Sequence, residues 1–87
     1  MAVVCLRGPL KRLAGDCAEH VIDGDSVGEL LATIEREHPA TGGWILDERG
    51  VLRRHINVFV NGERRAQEDP VDAADRVDVL PAISGGR

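Results

Sequence analysis

Ser26-Val27-Gly28-Glu29-Leu30-Leu31-Ala32-Thr33-Ile34-Glu35-Arg36-Glu37-His38-Pro39 is the stretch on which the fold turns. Ser26 followed three residues later by Glu29 has the form of a capping box, in which the hydroxyl accepts from the N3 amide and the carboxylate reaches back. Val27, Leu30, Leu31, Ile34 and His38 then recur at helical spacing and share one face, while Glu29, Glu35, Arg36 and Glu37 face outward or lie near its edge. Pro39 cannot continue the pattern, so the helix is expected to end at Glu37 or His38. One apolar stripe on one helix needs a sheet to lie against.

Strands are legible on both sides of it. Residues 2–7 alternate, with Val4 and Leu6 on one face and Val3 and Cys5 on the other. Gly8-Pro9 and Gly15-Asp16 mark a moderately long loop carrying Lys11 and Arg12, and residues 17–22 read as a second strand closing a hairpin. After the helix, residues 40–50 are irregular, and Trp44, Ile45 and Leu46 form an apolar triplet expected in a turn over the sheet edge. Residues 52–60 return to strand, with Ile56, Val58 and Val60 on one face and His55, Asn57 and Phe59 on the other. Asn61-Gly62 is a type I′ turn signal, so residues 63–66 should fold back as a short strand. Glu68-Asp69-Pro70 marks a further turn and residues 72–75 a polar loop. Residues 76–80 form the last strand, with Val77 and Val79 inward. The order is β-β-α-β-β-β, and the helix supplies the crossover that lets the last strand lie parallel to the first. The reading is an α+β chain with a β-grasp, a mixed sheet of about five strands with one main helix packed on one face. Residues 1–83 form the domain, and residues 84–87 a flexible Gly-Gly tail.

Composition excludes several function classes. Eighty-seven residues make one domain with a thin core and little room for an enclosed active site. A net charge of −4 argues against a nucleic-acid partner held by phosphate contacts. No apolar run approaches the ~20 residues of a membrane span, and the N-terminus lacks a signal-peptide pattern. A soluble, cytoplasmic protein is expected. Cys5 and Cys17 are too few for a disulfide framework or a zinc site; they read as small half-buried side chains in neighbouring strands, bridgeable only if the register sets them opposite.

The remaining candidates for chemistry are weak. His20, His38 and His55 are scattered, lack metal-ligand spacing and read as surface or edge residues. Ser26 is a helix cap, and Ser84 belongs to no recognisable triad. No Lys-Ser or Lys-Thr pair follows Gly42-Gly43, so these glycines form no phosphate loop. Arg53-Arg54 and Arg64-Arg65 should cluster about the Asn61-Gly62 hairpin, either as a solvated charged face or as a patch for an acidic groove on a partner protein. No bound cofactor, metal or catalytic residue is expected.

The C-terminal segment Leu80-Pro81-Ala82-Ile83-Ser84-Gly85-Gly86-Arg87 stands apart. It follows a core strand directly and carries no bulky side chain from Ser84 to Gly86. Such an end can thread a narrow channel and lie against another backbone. The order of elements, Asn57-Val58-Phe59-Val60-Asn61-Gly62 and Asp78-Val79-Leu80-Pro81-Ala82-Ile83-Ser84-Gly85-Gly86 together resemble the MoaD/ThiS family of sulfur-carrier proteins. The resemblance spans essentially the whole chain. It lies nearer the molybdopterin-synthase small subunit and the cysteine-biosynthesis carriers than the shorter thiamine carrier.

The resemblance implies that Gly86 carries the chemistry. A ubiquitin-activating-type adenylyltransferase would join its carboxylate to AMP from ATP, and a sulfur nucleophile would leave a thiocarboxylate for a sulfur-accepting biosynthetic enzyme. Gly85 and Ser84 would thread the channel, and Leu80, Pro81 and Ile83 would dock on the partner. Arg87 departs from the mature pattern: while it is attached, Gly86 has no carboxylate, so a zinc-dependent peptidase is implied to remove it. The chain would then be a protein substrate rather than an enzyme. Two rivals remain open: a ubiquitin-like modifier joined to lysines through Gly86, and a protein-binding β-grasp domain with an inert tail.

Overall fold

The Ser26 cap forms as expected, with one change. In a computed structural model that describes residues 2–16 and 18–81, Ser26 Oγ accepts from the Glu29 amide at 3.2 Å. The Glu29 carboxylate reaches back to the amide of Asp25 at 2.8 Å, one residue earlier than a capping box places it. The next orphan donors of the helix, the amides of Val27 and Gly28, are satisfied by the carbonyls of Asp69 and Gln67. The main helix (α2, Val27–Glu37) ends with His38 as its C-cap, and Pro39–Thr41 follows as one 3-10 turn. Val27, Leu30, Leu31 and Ile34 are fully buried. Burying each is worth about 1.5–3 kcal/mol over leaving it exposed.

The helix packs on a five-stranded sheet built from β1 (Ala2–Leu6), β2 (Glu19–Ile22), β3 (Ile56–Val60), β4 (Glu63–Arg64) and β5 (Arg76–Pro81). A short helix, α1 (Pro9–Leu13), lies between β1 and β2. The strand order is β2-β1-β5-β3-β4. β1 and β5 are parallel at the centre, and the other pairings are antiparallel. Alternation sends Ala2, Val4, Leu6, Ile56, Val58, Val60, Val77 and Val79 into the core, which also takes Ile45, Leu46 and Val71. Asn61 and Gly62 turn the β3–β4 hairpin with φ of 52° and 87°, the left-handed pair that a type I′ turn requires. This is the expected β-grasp.

Several expectations change in detail. The loop between the first two strands contains α1, with Pro9 in its first turn and Leu10 buried. The second strand begins at Glu19, and Cys17 lies outside the described residues. The residue opposite Cys5 is Glu19. The third strand is shorter than residues 52–60: Leu52 makes only an isolated bridge to Leu46, and Ile56 N donates to the Arg53 carbonyl, so the chain turns before β3 starts. β4 spans two residues rather than four. Of the apolar triplet, Ile45 and Leu46 are buried, whereas Trp44 is 49% exposed. Glu35 does not simply face outward: its Oε2 accepts from the amides of Ile45 and Leu46 and ties their loop to α2. No helix among the described residues is long and apolar enough to cross a membrane.

Candidate functional site

Residues 82–87 follow β5, so the end of β5 is the root of the predicted working tail. β5 is hydrogen-bonded on both sides, to β1 and to β3, and pairing continues to its last residue, where Pro81 faces Ile56 and Leu80 faces Asn57. Arg7 N donates to the Val79 carbonyl at 3.2 Å. Beside it, Gly8 holds a φ of 59°, and a Cβ there would sit 3.7 Å from Pro81 Cγ. A left-handed residue at this point lets the chain turn from β1 into α1 alongside Pro81. The root is thereby clamped from two strands and one turn.

Leu80 and Pro81 are half-buried. Register places Leu80 on the sheet face away from α2, diagonal to the half-buried Phe59 on β3. Together they make an apolar step at the tail root. Alternation alone puts Phe59 on that outer face, and an aromatic on the solvent-facing side of a strand is the signal in the sequence for a contact residue there. Ile83, Ser84, Gly85, Gly86 and Arg87, the other predicted site residues, lie outside the described residues.

Further along this outer face the surface becomes ionic. Arg7 pairs with Asp78 at 3.1 Å, and Arg76 with Glu19 at 3.5 Å and Asp78 at 3.9 Å. These four charges surround Cys5, which is almost wholly buried. Burial pushes its thiol above the ordinary value; Asp78 and Glu19 add to this, while Arg76 and Arg7 oppose it. A protonated, covered thiol is a poor nucleophile, so Cys5 is a packing residue.

The structure also brings together residues that the sequence leaves apart. His20 and His38, expected as separate surface or edge residues, meet ring to ring at 4.8 Å in an edge-to-face contact where β2 passes the end of α2. No group of three or more His, Cys, Asp or Glu placed to hold a metal occurs among the described residues. Arg53, Arg54, Arg64 and Arg65 do cluster, lining one cleft of about 550 Å³ with Leu52, Ile56 and Val58. Ile56 is also the partner of Pro81, so the cleft adjoins the tail root.

Comparison with known proteins agrees with this arrangement. The sequence matches the ThiS family over residues 4–86. Small archaeal modifier protein 1 of Haloferax volcanii is 37% identical over 79 residues, covering 88% of this chain and 91% of that one. The crystal structure of SAMP1 from Haloferax volcanii matches with a TM-score of 0.83 at 33% identity, covering 98% of each chain. A chain of the crystallised BexX/CysO complex from Amycolatopsis orientalis matches with a TM-score of 0.86 at 28% identity, covering 99% of this chain and all of that one. A β-grasp whose central strand leads into Gly85-Gly86, matched through residue 86, places the chain in the ThiS family of ubiquitin-like sulfur carriers.

Proposed function

We propose that the chain presents Gly86 as a carboxylate for activation and carries sulfur on it. The observation that supports this best is the clamped end of β5: a strand bonded on both sides delivers the tail from a rigid base, next to the apolar step of Leu80 and Phe59. An activating enzyme needs both, a surface to grip and a slender segment to thread. The partner binds the ATP. The Gly86 carboxylate attacks the α-phosphorus, pyrophosphate leaves, and an acyl-adenylate forms. A hydrosulfide-equivalent nucleophile then displaces AMP, leaving a thiocarboxylate that a biosynthetic enzyme takes up as its sulfur source. This chemistry uses ATP and belongs in the cytoplasm.

Where Arg87 is bonded to Gly86, the Gly86 carbonyl is an amide and has no carboxylate to adenylate. A channel shaped for Gly-Gly also excludes a guanidinium, which stays charged and is costly to desolvate unpaired. Removal of Arg87 by a zinc-dependent peptidase, whose metal-bound water attacks that carbonyl, is therefore part of the proposal. A second reading is favoured by the relatives named as modifier proteins: the same adenylate captured by a lysine amine, giving an isopeptide bond.

ATP–pyrophosphate exchange with the activating enzyme, run on the chain ending at Gly86 and on the 87-residue chain, tests the first step. Intact mass tests the outcome. Exchange by the shorter form alone, with sulfur replacing one oxygen, is expected. Higher-mass conjugates instead of the thiocarboxylate would favour the modifier reading. Equal exchange with Arg87 still attached would overturn the assignment to Gly86.

A further inference from the structure

The chemistry proposed at Gly86 calls on none of the residues of the arginine cleft, yet the cleft concentrates charge. Four of the chain's eleven basic residues line it, against one carboxylate, Glu68, in a molecule whose net charge is −4. The rest of the surface is correspondingly acidic, so the cleft is a local positive pole. Arg65 is paired, its Nη2 lying 2.6 Å from Glu63 Oε1. Arg54 and Arg64 are exposed and make no ion pair among the described residues. Arg53 Nε is buried with no hydrogen-bond acceptor among the described residues, a donor whose desolvation is uncompensated.

Beside the arginines, Leu52 and Ala66 offer the cleft its accessible aliphatic surface, while Ile56 and Val58 are buried in the core. Guanidinium forks beside this small aliphatic surface match carboxylates that flank an aliphatic side chain. They match nucleic acid poorly. Trp44 and Phe59 are the only Trp, Tyr or Phe residues, and neither lines the cleft, so bases would find no aromatic ring there and only guanidinium planes to stack on. A long polyanion would also meet the acidic remainder of the surface, whereas a short segment meets the cleft alone.

We propose that the cleft formed by Arg53, Arg54, Arg64 and Arg65 is a docking site for a short acidic peptide segment of a partner protein, its carboxylates alternating with aliphatic residues. The proposal goes beyond the sulfur-carrier reading and stands whether or not Gly86 is activated. Its position beside Ile56, opposite Pro81, lets a partner occupy the cleft while the tail root is engaged.

The test is titration of the ¹⁵N-labelled full chain with the peptide acetyl-EDLEDLE-amide, followed by amide spectra. Saturable shifts confined to residues 52–56 and 64–68 are expected. The exposed pair Arg54→Glu with Arg64→Glu should weaken binding roughly tenfold or more. Lys11→Glu with Arg12→Glu makes the same change in net charge on α1, away from the cleft, and should leave affinity within about twofold. The spectra themselves report whether each variant is folded. Absence of saturation, shifts centred elsewhere, or equal weakening by both pairs would overturn the proposal. So would tighter binding of an oligouridylate or of inorganic pyrophosphate than of the peptide.

Discussion

Replacing Glu35 by Ala should be among the most damaging changes to any charged residue of this domain. Glu35 lies on α2 and is half-buried, and its Oε2 accepts from Leu46 N at 2.9 Å and from Ile45 N at 3.3 Å. Ile45 and Leu46 are core residues, so their amides have little access to water once the carboxylate is gone. A hydrogen bond to a charged group contributes about 1.5–3 kcal/mol, and the longer contact adds less. Alanine returns a few tenths through its higher helix propensity. The net expected loss is about 2–4 kcal/mol, a large fraction of the roughly 5–15 kcal/mol typical of whole domains. Glu35→Gln keeps a carbonyl acceptor without the charge and should lose about 1 kcal/mol. Urea denaturation measures both. Far-UV circular dichroism follows the whole fold, and the fluorescence of Trp44, adjacent to Ile45, follows the tethered loop. An alanine variant within about 0.5 kcal/mol of the parent would refute the argument that this carboxylate holds the loop.

Truncating Leu31 to Ala, on the fully buried stripe of α2, should cost about 2–5 kcal/mol in the same denaturation assay. The acid limb of stability is also predictable. Asp75 accepts from the Asp72 amide at 2.8 Å and from Asn61 Nδ2 at 2.9 Å, and these bonds, the backbone one foremost, hold its carboxyl below the ordinary 3.8. A folded-state pKa below the unfolded one gives stability that is present above about pH 4 and is lost as pH falls through the lowered value. Asp75→Asn should therefore flatten the loss of stability in urea titrations between about pH 5 and pH 2, and an unchanged acid limb would count against these bonds.

Local signals carried most of the architecture. The Ser26 cap, the stripe from Val27 to Ile34 and the stop at Pro39 are relations among residues one to four positions apart, which the backbone enforces wherever the segment lies. Alternation in β1, β3 and β5 was legible for the same reason, and Asn61-Gly62 named its own turn through its left-handed conformation. Helix α1 was not legible, because five residues hold barely one period and only the burial of Leu10 marks them. The loop from Thr41 to Leu52 is organised by partners far along the chain: Glu35 for its amides, and Gln67 Oε1, which accepts from Leu52 N at 2.8 Å. The outer-face charges around Cys5 and the contact of His20 with His38 likewise depend on distant segments, whereas the clustering of Arg53, Arg54, Arg64 and Arg65 was legible from the Asn61-Gly62 hairpin. Composition and spacing determine which side chains each element offers to each face. Which of them meet is decided by strand order and register, because burial and hydrogen bonding are satisfied between segments that the sequence separates.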